Sequence, residues 1–237
     1  MVDALPGTMM VIAKTPEPGR SKTRLCPPLT SAQACDVAWA CLHDTLAVVA
    51  DLPVSRRVLV LDGEPGAWIP AGFDLIRQRG AGLAARLAAA FTDVDDAAVV
   101  IAMDTPQVTG ELLADALNAV AAGAGVASFG PAGDGGFWLL GLPRGADRGR
   151  VFEGVPMSVA HTGAAQRARL RHLGYEVREL AVLRDVDTFE DLGAVAHLIP
   201  GSMTAHVAAL LGEGPTPPTS GSAPSELSGR AGAWLDG

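Results

Sequence analysis

Met9-Met-Val-Ile-Ala-Lys-Thr-Pro-Glu-Pro-Gly-Arg-Ser-Lys-Thr-Arg-Leu25 decides how the chain is read. Its first five residues, Met9–Ala13, are apolar, and a short apolar run bounded by turn residues reads as a buried strand. The loop that follows sets Lys14, Arg20, Lys22 and Arg24 against one acid, Glu17, a local balance of +3. Pro16 and Pro18 stiffen it, because each fixes φ and removes a backbone donor. Gly19 lets the backbone turn and come close to a ligand. A rigid cationic loop leaving a buried strand is suited to holding a polyphosphate through its charges and its N–H groups. The competing reading is a solvated basic turn, and only the surrounding structure separates the two.

Outward from this stretch, short apolar runs alternate with longer amphipathic ones. Arg57–Leu61, Ala97–Met103, Gly125–Phe129 and Phe137–Leu142 read as further strands, and Tyr175–Leu183 as extended chain. Helices are expected over Ser31–Ala50, with Ser31 as N-cap behind Pro27-Pro28, over Leu83–Phe91, and over Thr109–Ala122 with Thr109 as cap. Two more are expected over Val159–Leu173 and Phe189–Leu198. This alternation predicts an α/β fold with a mostly parallel sheet covered by helices. From about Gly212 the composition turns to Gly, Pro and Ser, which predicts one domain over 1–211 and a flexible tail over 212–237.

With 237 residues, 49% of them hydrophobic, the chain is long enough for one large domain with a full core. Aromatics are only 5%, so Ala, Val and Leu must fill that core, which suits helices on a sheet. The net charge of −8 argues against general nucleic-acid or anionic-membrane binding, both of which need a basic face. The basic loop fits a small anionic ligand better. Cys26, Cys35 and Cys41 are odd in number and fit no common zinc spacing, which predicts reduced thiols in a cytoplasmic protein. No secretory signal and no uninterrupted apolar run of membrane-spanning length is seen.

Ligands of open α/β sheets bind beyond the carboxyl ends of the strands, and three further polar motifs fall at such positions. Asp104-Thr-Pro106 directly follows the Ala97–Met103 run. A carboxylate there can hold Mg²⁺, which prefers a few carboxylates plus phosphate oxygens; Asp also orders turns before Pro. Gly130-Pro-Ala-Gly-Asp-Gly-Gly136 puts Gly135 and Gly136 where backbone can approach a ligand or strand, with Asp134 free to contact a substrate hydroxyl; a hairpin turn explains the motif equally well. In Arg184-Asp-Val-Asp-Thr-Phe-Glu-Asp-Leu192, Asp185 and Asp187 share one side if the chain is extended. Thr188 with Asp191 reads as a helix cap. His43, His161, Trp39 and Trp138 read as structural.

Taken in order, Lys-x-Pro-x-Pro-Gly-x-x-Lys-Thr-Arg-Leu, Asp-x-Pro, Gly-Pro-x-x-Asp-Gly-Gly and Asp-Val-Asp-Thr-x-Glu-Asp-Leu resemble a bacterial branch of the nucleotide-diphospho-sugar transferase (glycosyltransferase-A) superfamily, over roughly residues 8 to 200. Lys22 to Pro27 also resembles the 2-phospholactate guanylyltransferases. The resemblance implies a Rossmann-like three-layer α/β/α sandwich that binds a nucleotide and Mg²⁺ or Mn²⁺. By position, Asp104 and Asp187 would be the metal carboxylates. Lys14, Gly19, Arg20, Lys22 and Arg24 would line the phosphate site, with Arg86, Asp134, Gly135 and Gly136 as further nucleotide-side candidates. Gly82-Leu-Ala-Ala-Arg86 departs from the family's Asp-Leu-Gly-Glu-Arg and keeps only Leu83 and Arg86. Phe137-Trp138 replaces a Tyr pair, and Phe189 a Pro. Neither a Walker A loop nor a Gly-x-Gly-x-x-Gly turn is present.

The activity expected first is nucleotidyl transfer from a nucleoside triphosphate to a phosphorylated or other anionic small-molecule acceptor, with pyrophosphate released. In it, Lys22, Arg24, Asp104 and Asp187 act through positioning and charge neutralisation. Glycosyl transfer from a nucleotide-sugar is the alternative, and a non-catalytic nucleotide-binding protein the third reading. The base, the acceptor and the oligomeric state have no signature in the chain.

Overall fold

The computed structural model describes residues 4–123 and 125–212. Seven strands, β1 (Leu5–Lys14), β2 (Val54–Asp62), β3 (Phe73–Arg77), β4 (Ala98–Ala102), β5 (Val126–Pro131), β6 (Phe137–Leu142) and β7 (Glu176–Glu179), form one sheet. Their order across it is β3-β2-β1-β4-β6-β5-β7. Every neighbouring pair is parallel except those involving β6, which runs antiparallel to both β4 and β5. The cause is local: Ala132–Gly136 is a tight turn, with the Ala132 N–H donating to the Gly136 carbonyl, and so short a link can join only antiparallel strands.

Seven helices accompany the sheet: α1 (Ser31–Asp51), α2 (Gly82–Val94), α3 (Gly110–Ala121), α4 (Arg148–Phe152), α5 (Thr162–His172), α6 (Phe189–Leu198) and α7 (Met203–Gly212). The period-two alternation of β1 decides the layers. Met9, Val11 and Ala13 bury themselves with Leu42 and Leu46 of α1 and Leu113 and Leu117 of α3. Met10 points to the other face, against Leu87 and Phe91 of α2, Val151 and Phe152 of α4 and Leu170 of α5. Helix, sheet and helix are therefore stacked as a three-layer α/β/α sandwich, as expected.

A third apolar cluster fixes the parts that carry the polar motifs. Leu25 and Leu29 from the basic loop, Val37 and Cys41 from α1, Val186, and Leu192 and Val195 from α6 pack together. Burying each such side chain contributes about 1.5–3 kcal/mol, so the loop and the Arg184–Leu192 stretch are anchored on the same helix.

The structure adjusts several boundaries. Thr30, not Ser31, caps α1; its side chain accepts from the Gln33 N–H while Gln33 caps the Thr30 N–H in return. α5 begins at Thr162 rather than Val159, after a turn in which the Thr162 N–H bonds the Val159 carbonyl. Tyr175–Leu183 contracts to the four residues of β7. β3, α4 and α7 were not foreseen. No helix among the described residues is long and apolar enough to cross a membrane. The expected tail falls beyond Gly212, outside the described residues.

Candidate functional site

β1 lies between β2 and β4, so successive crossovers leave it in opposite directions and open a crevice at its carboxyl end. The basic loop starts there. Thr15 Oγ1 donates to the Glu64 carbonyl at 2.9 Å, and the Glu17 carbonyl accepts from the Arg20 and Ser21 N–H groups, closing a turn through Gly19 at φ 75°. Lys22 stands at φ 50°, a conformation rare for a long side chain, ahead of a 3₁₀ turn over Thr23–Leu25. Leu25 is fully buried. With the loop pinned at that end, the Lys22 side chain turns inward and is only 10% exposed.

The carboxylates reach this point by a second route. The Val186 N–H donates to the Asp104 carbonyl at 2.9 Å, and Gln107 Nε2 donates to the Arg184 carbonyl at 2.7 Å. These bonds join the Asp104 turn, at the end of β4, to the Arg184–Asp187 stretch. Thr188 and Asp191 then form a reciprocal cap that starts α6 immediately after Asp187.

Lys22 Nζ donates to Asp104 Oδ2 at 2.8 Å and to Asp187 Oδ1 at 3.1 Å. Arg24 donates to Asp187 Oδ2 at 2.9 Å. Burial opposes the Lys22 charge, but the Asp104 and Asp187 carboxylates outweigh it and hold its pKa above that of an ordinary lysine. Burial likewise opposes the Asp187 charge, and Lys22 and Arg24 outweigh it, so its carboxyl sits below the usual range. The two expected metal carboxylates and two of the expected phosphate ligands are therefore one ion-paired cluster.

Asp185 belongs to the same cluster, and the sequence reading gave it no role. Its Oδ1 is buried without a hydrogen-bond partner. Burial first, then the charges of Asp104 and Asp134, push its carboxyl up to about 8. The Asp-Val-Asp alternation was the available signal, since it puts Asp185 and Asp187 on one side once the stretch is extended.

The remaining candidates spread outward. Lys14 ends β1 with an exposed side chain. Arg20 is 78% exposed and pairs with Glu17. Arg86 bonds Asp62 Oδ2 at 2.7 Å and Gln78 Oε1 at 3.1 Å, beside the ends of β1 and β2 and apart from the carboxylate cluster. Asp134 is exposed, and its Oδ1 accepts from the Gly136 N–H at 2.7 Å, so it orders its own turn while its charge reaches Asp185. Gly135 has φ 89°, and a Cβ there would overlap the Ala160 carbonyl oxygen. The Gly163 N–H donates to the Gly135 carbonyl at 2.8 Å. The close approach at Gly135 is thus made to the chain entering α5.

Among the described residues no three His, Cys, Asp or Glu side chains form a ready cation cage. Asp104 and Asp187 nevertheless share one ammonium, and the partnerless Asp185 oxygen lies in the same cluster, so the donor set fits a hard cation that takes its other ligands from water and phosphate. A surface depression between α6 and α7, lined by Ala196, His197, Pro200, Met203 and His206, contains none of these groups.

A family model described as "Uncharacterized protein conserved in bacteria (DUF2064)" matches residues 45–159. That span holds Asp104 and the Gly135-Gly136 turn and stops short of Lys22 on one side and Asp187 on the other. The crystal structure of a "putative nucleotide-diphospho-sugar transferase" from Desulfovibrio desulfuricans G20 overlays with a TM-score of 0.75 at 28% identity, covering 89% of this chain and 95% of that one. The structure of CMP:2-keto-3-deoxy-manno-octonic acid synthetase complexed with CTP overlays at 0.51 and 14% identity, covering 79% and 95%, a likeness of fold. A Mycobacterium tuberculosis H37Rv protein in complex with manganese reaches 0.48 at 25% identity, covering 82% and 98%, too loose an overlay to align its metal site. No curated protein gives a significant match. The chain resembles the nucleotide-diphospho-sugar transferases, and its sheet and helices follow their Rossmann-like architecture.

Proposed function

We propose that the protein is a divalent-metal-dependent nucleotidyltransferase. An anionic oxygen of a small acceptor forms a bond to the α-phosphorus of a nucleoside triphosphate, the bond from that phosphorus to the bridging oxygen breaks, and pyrophosphate leaves with the electron pair. The observation that carries the reading is the convergence of Lys22 and Arg24 with Asp104 and Asp187 at the crevice beside β1. Phosphoryl chemistry of this kind needs no protein nucleophile, only alignment and fixed charge.

Asp104 and Asp187 would hold the cation, which when bound supplies charge neutralisation at the phosphate oxygens. Lys22 supplies a compact point charge and Arg24 a planar fork for the departing pyrophosphate. Lys14 and Arg20, exposed on the same loop, draw the triphosphate in. Arg86, held by Asp62 and Gln78, would contact the nucleotide. Asp134, whose charge reaches Asp185, and the Gly135-Gly136 turn it orders would border the same cluster. Triphosphates and the free thiols of Cys26, Cys35 and Cys41 both suit a cytoplasmic setting.

Glycosyl transfer from a nucleotide-sugar is the second reading, favoured by the likeness to the Desulfovibrio protein described as a "putative nucleotide-diphospho-sugar transferase". The loop argues for the triphosphate, which carries more negative charge than a diphosphate-sugar. Product release separates them. The protein is incubated with Mg²⁺, each of ATP, GTP, CTP and UTP, and a panel of phosphorylated and carboxylic acceptors. Pyrophosphate release that needs an acceptor and vanishes in Asp104→Ala supports nucleotidyl transfer. Nucleoside diphosphate released from a nucleotide-sugar replaces it with glycosyl transfer. Thermal stabilisation by nucleotide without turnover leaves a binding protein. No stabilisation and no turnover overturns the reading.

A further inference from the structure

Lys22 is the buried cation of an otherwise exposed basic loop, and it is bonded in an unusual way. One ammonium takes an oxygen from each of two carboxylates that arrive from distant parts of the chain, Asp104 after β4 and Asp187 before α6. Asp187 has its second oxygen engaged by Arg24. The point where Asp104 and Asp187 converge is therefore already filled by positive charge. A divalent cation attracted to the same pair needs the same oxygens, and it repels an ammonium held beside it.

We propose that Lys22 is a built-in competitor for the cation site: its ammonium holds the Asp104–Asp187 pair closed at rest, and a divalent cation binds by displacing it toward the phosphates of the nucleotide. The inference rests on the site reading above. Local geometry suits such a movement. The backbone is fixed by the Glu17 turn and the buried Leu25, while the lysine stem is flexible and its head needs no particular orientation. Release therefore needs rotation of one side chain, with the backbone held in place.

Two consequences follow. The cation alone binds weakly, because its apparent affinity is reduced by the fraction of molecules in which the ammonium is out of the way. A phosphate ligand that accepts the ammonium relieves the competition, so cation and triphosphate bind with positive and reciprocal coupling.

The test reads Lys22 directly in the full chain. In wild type labelled with ¹⁵N-lysine, an ammonium shielded from water by two carboxylates gives a slowly exchanging NMR signal, assigned by its absence from the charge-retaining Lys22→Arg variant. Titration with Mg²⁺ alone is expected to remove or shift it. In parallel, Mn²⁺ binding is measured by electron paramagnetic resonance. If the closed form exceeds about 90%, Lys22→Met binds roughly tenfold tighter than wild type or more. Arg144→Met, which removes an exposed cation at the opposite edge of the sheet, just past the pairing of Leu142 with Ala98 at the start of β4, is expected to change affinity by less than about threefold. An unmoved Lys22 signal in a protein that binds Mg²⁺, or a Lys22→Met variant that binds Mn²⁺ no tighter than wild type, overturns the proposal and leaves the metal site standing. Absence of Mn²⁺ binding by wild type and Lys22→Met alike overturns the metal site itself. If Lys22→Met does not fold, the wild-type titration and the Lys22→Arg spectrum still decide.

Discussion

Replacing Lys22 by Met keeps most of the side chain's apolar length and removes only the charge that joins three segments. Its ammonium contacts Asp104 at 2.8 Å and Asp187 at 3.1 Å, and the side chains of the three are 10%, 26% and 29% exposed. Removing one partner from a buried ion pair costs about 3–5 kcal/mol, because the remaining charge has no counter-ion. Here the carboxylates retain some contact with water and Arg24 still pairs with Asp187, so the lower end, about 3 kcal/mol, is expected. For a domain of this size that is a fall in Tm of roughly 6–12 °C. The pH dependence follows from the Asp187 carboxyl, whose pKa is depressed in the folded wild type. Such a group contributes stability that is present above its unfolded pKa and lost as pH falls through its folded pKa. The gap between wild type and Lys22→Met is therefore widest at neutral to alkaline pH and narrows as acid protonates the carboxylates. Thermal unfolding in metal-free buffer from about pH 8 down to about pH 2.5 crosses the unfolded Asp value of about 3.9 and enters the lower range of the folded carboxyl. Equal Tm values at pH 8 would refute the claim that Lys22 holds these segments together.

Three further changes probe α7, the Gly135 turn and the exposed end of the basic loop. Asp44 is 9% exposed and accepts from the Met203 and Thr204 N–H groups at 3.0 and 2.7 Å, tying the start of α7 to α1. Burial opposes its charge, but His43, Thr204 and Met203 together hold its carboxyl below the usual range, so Asp44→Ala should cost about 2 kcal/mol at neutral pH and progressively less as pH falls through the carboxylate range, read by denaturant unfolding. Gly135→Ala puts a Cβ against the Ala160 carbonyl at a φ of 89° and should destabilise by about 2–4 kcal/mol, seen as a lower midpoint in urea. Arg20→Ala removes a 78%-exposed side chain and its pair with Glu17; stability should stay within about 0.5 kcal/mol, while the salt dependence of triphosphate binding, followed by calorimetry, becomes shallower.

The central strands were legible because burial leaves a plain mark: Met9–Ala13 and Ala97–Met103 are apolar without interruption, as a strand covered on both faces must be. β3 was not legible for the opposite reason. It pairs only with β2, and three of its five residues, Asp74, Leu75 and Arg77, are exposed, so it lacks the unbroken apolar run of a strand covered on both faces. α4, with five residues, is too short to show a helical period. α7 offered no contrast between faces, since Ala, Val and Leu run through most of its length. The Gly130–Gly136 motif left a hairpin and a close backbone approach in balance. Both hold, the backbone of Gly135 coming close to the Ala160 carbonyl.

The site was legible as residues but not as a circuit. Lys22 and Arg24 read as phosphate ligands and Asp104 and Asp187 as metal ligands, two groups with separate tasks. Nothing local to either could show that they pair, because Lys22 meets its partners across 82 and 165 positions of sequence. That pairing changes what the loop offers. In isolation the stretch from Lys14 to Arg24 presents a strong positive field, yet in the fold Lys22 and Arg24 are balanced by Asp104 and Asp187, and Arg20 by Glu17. Asp185, with its carboxyl pushed up by burial and its acidic neighbours, adds little further charge near neutral pH. The crevice at rest is close to electroneutral. A bare triphosphate would meet chiefly the exposed Lys14 and Arg20, and a bare cation would meet a competitor. On the proposed reading, a cation and a polyphosphate arriving together would exchange both pairings at once, the carboxylates turning to the cation and Lys22 and Arg24 to the phosphates, which would leave each of these charges with a counter-charge.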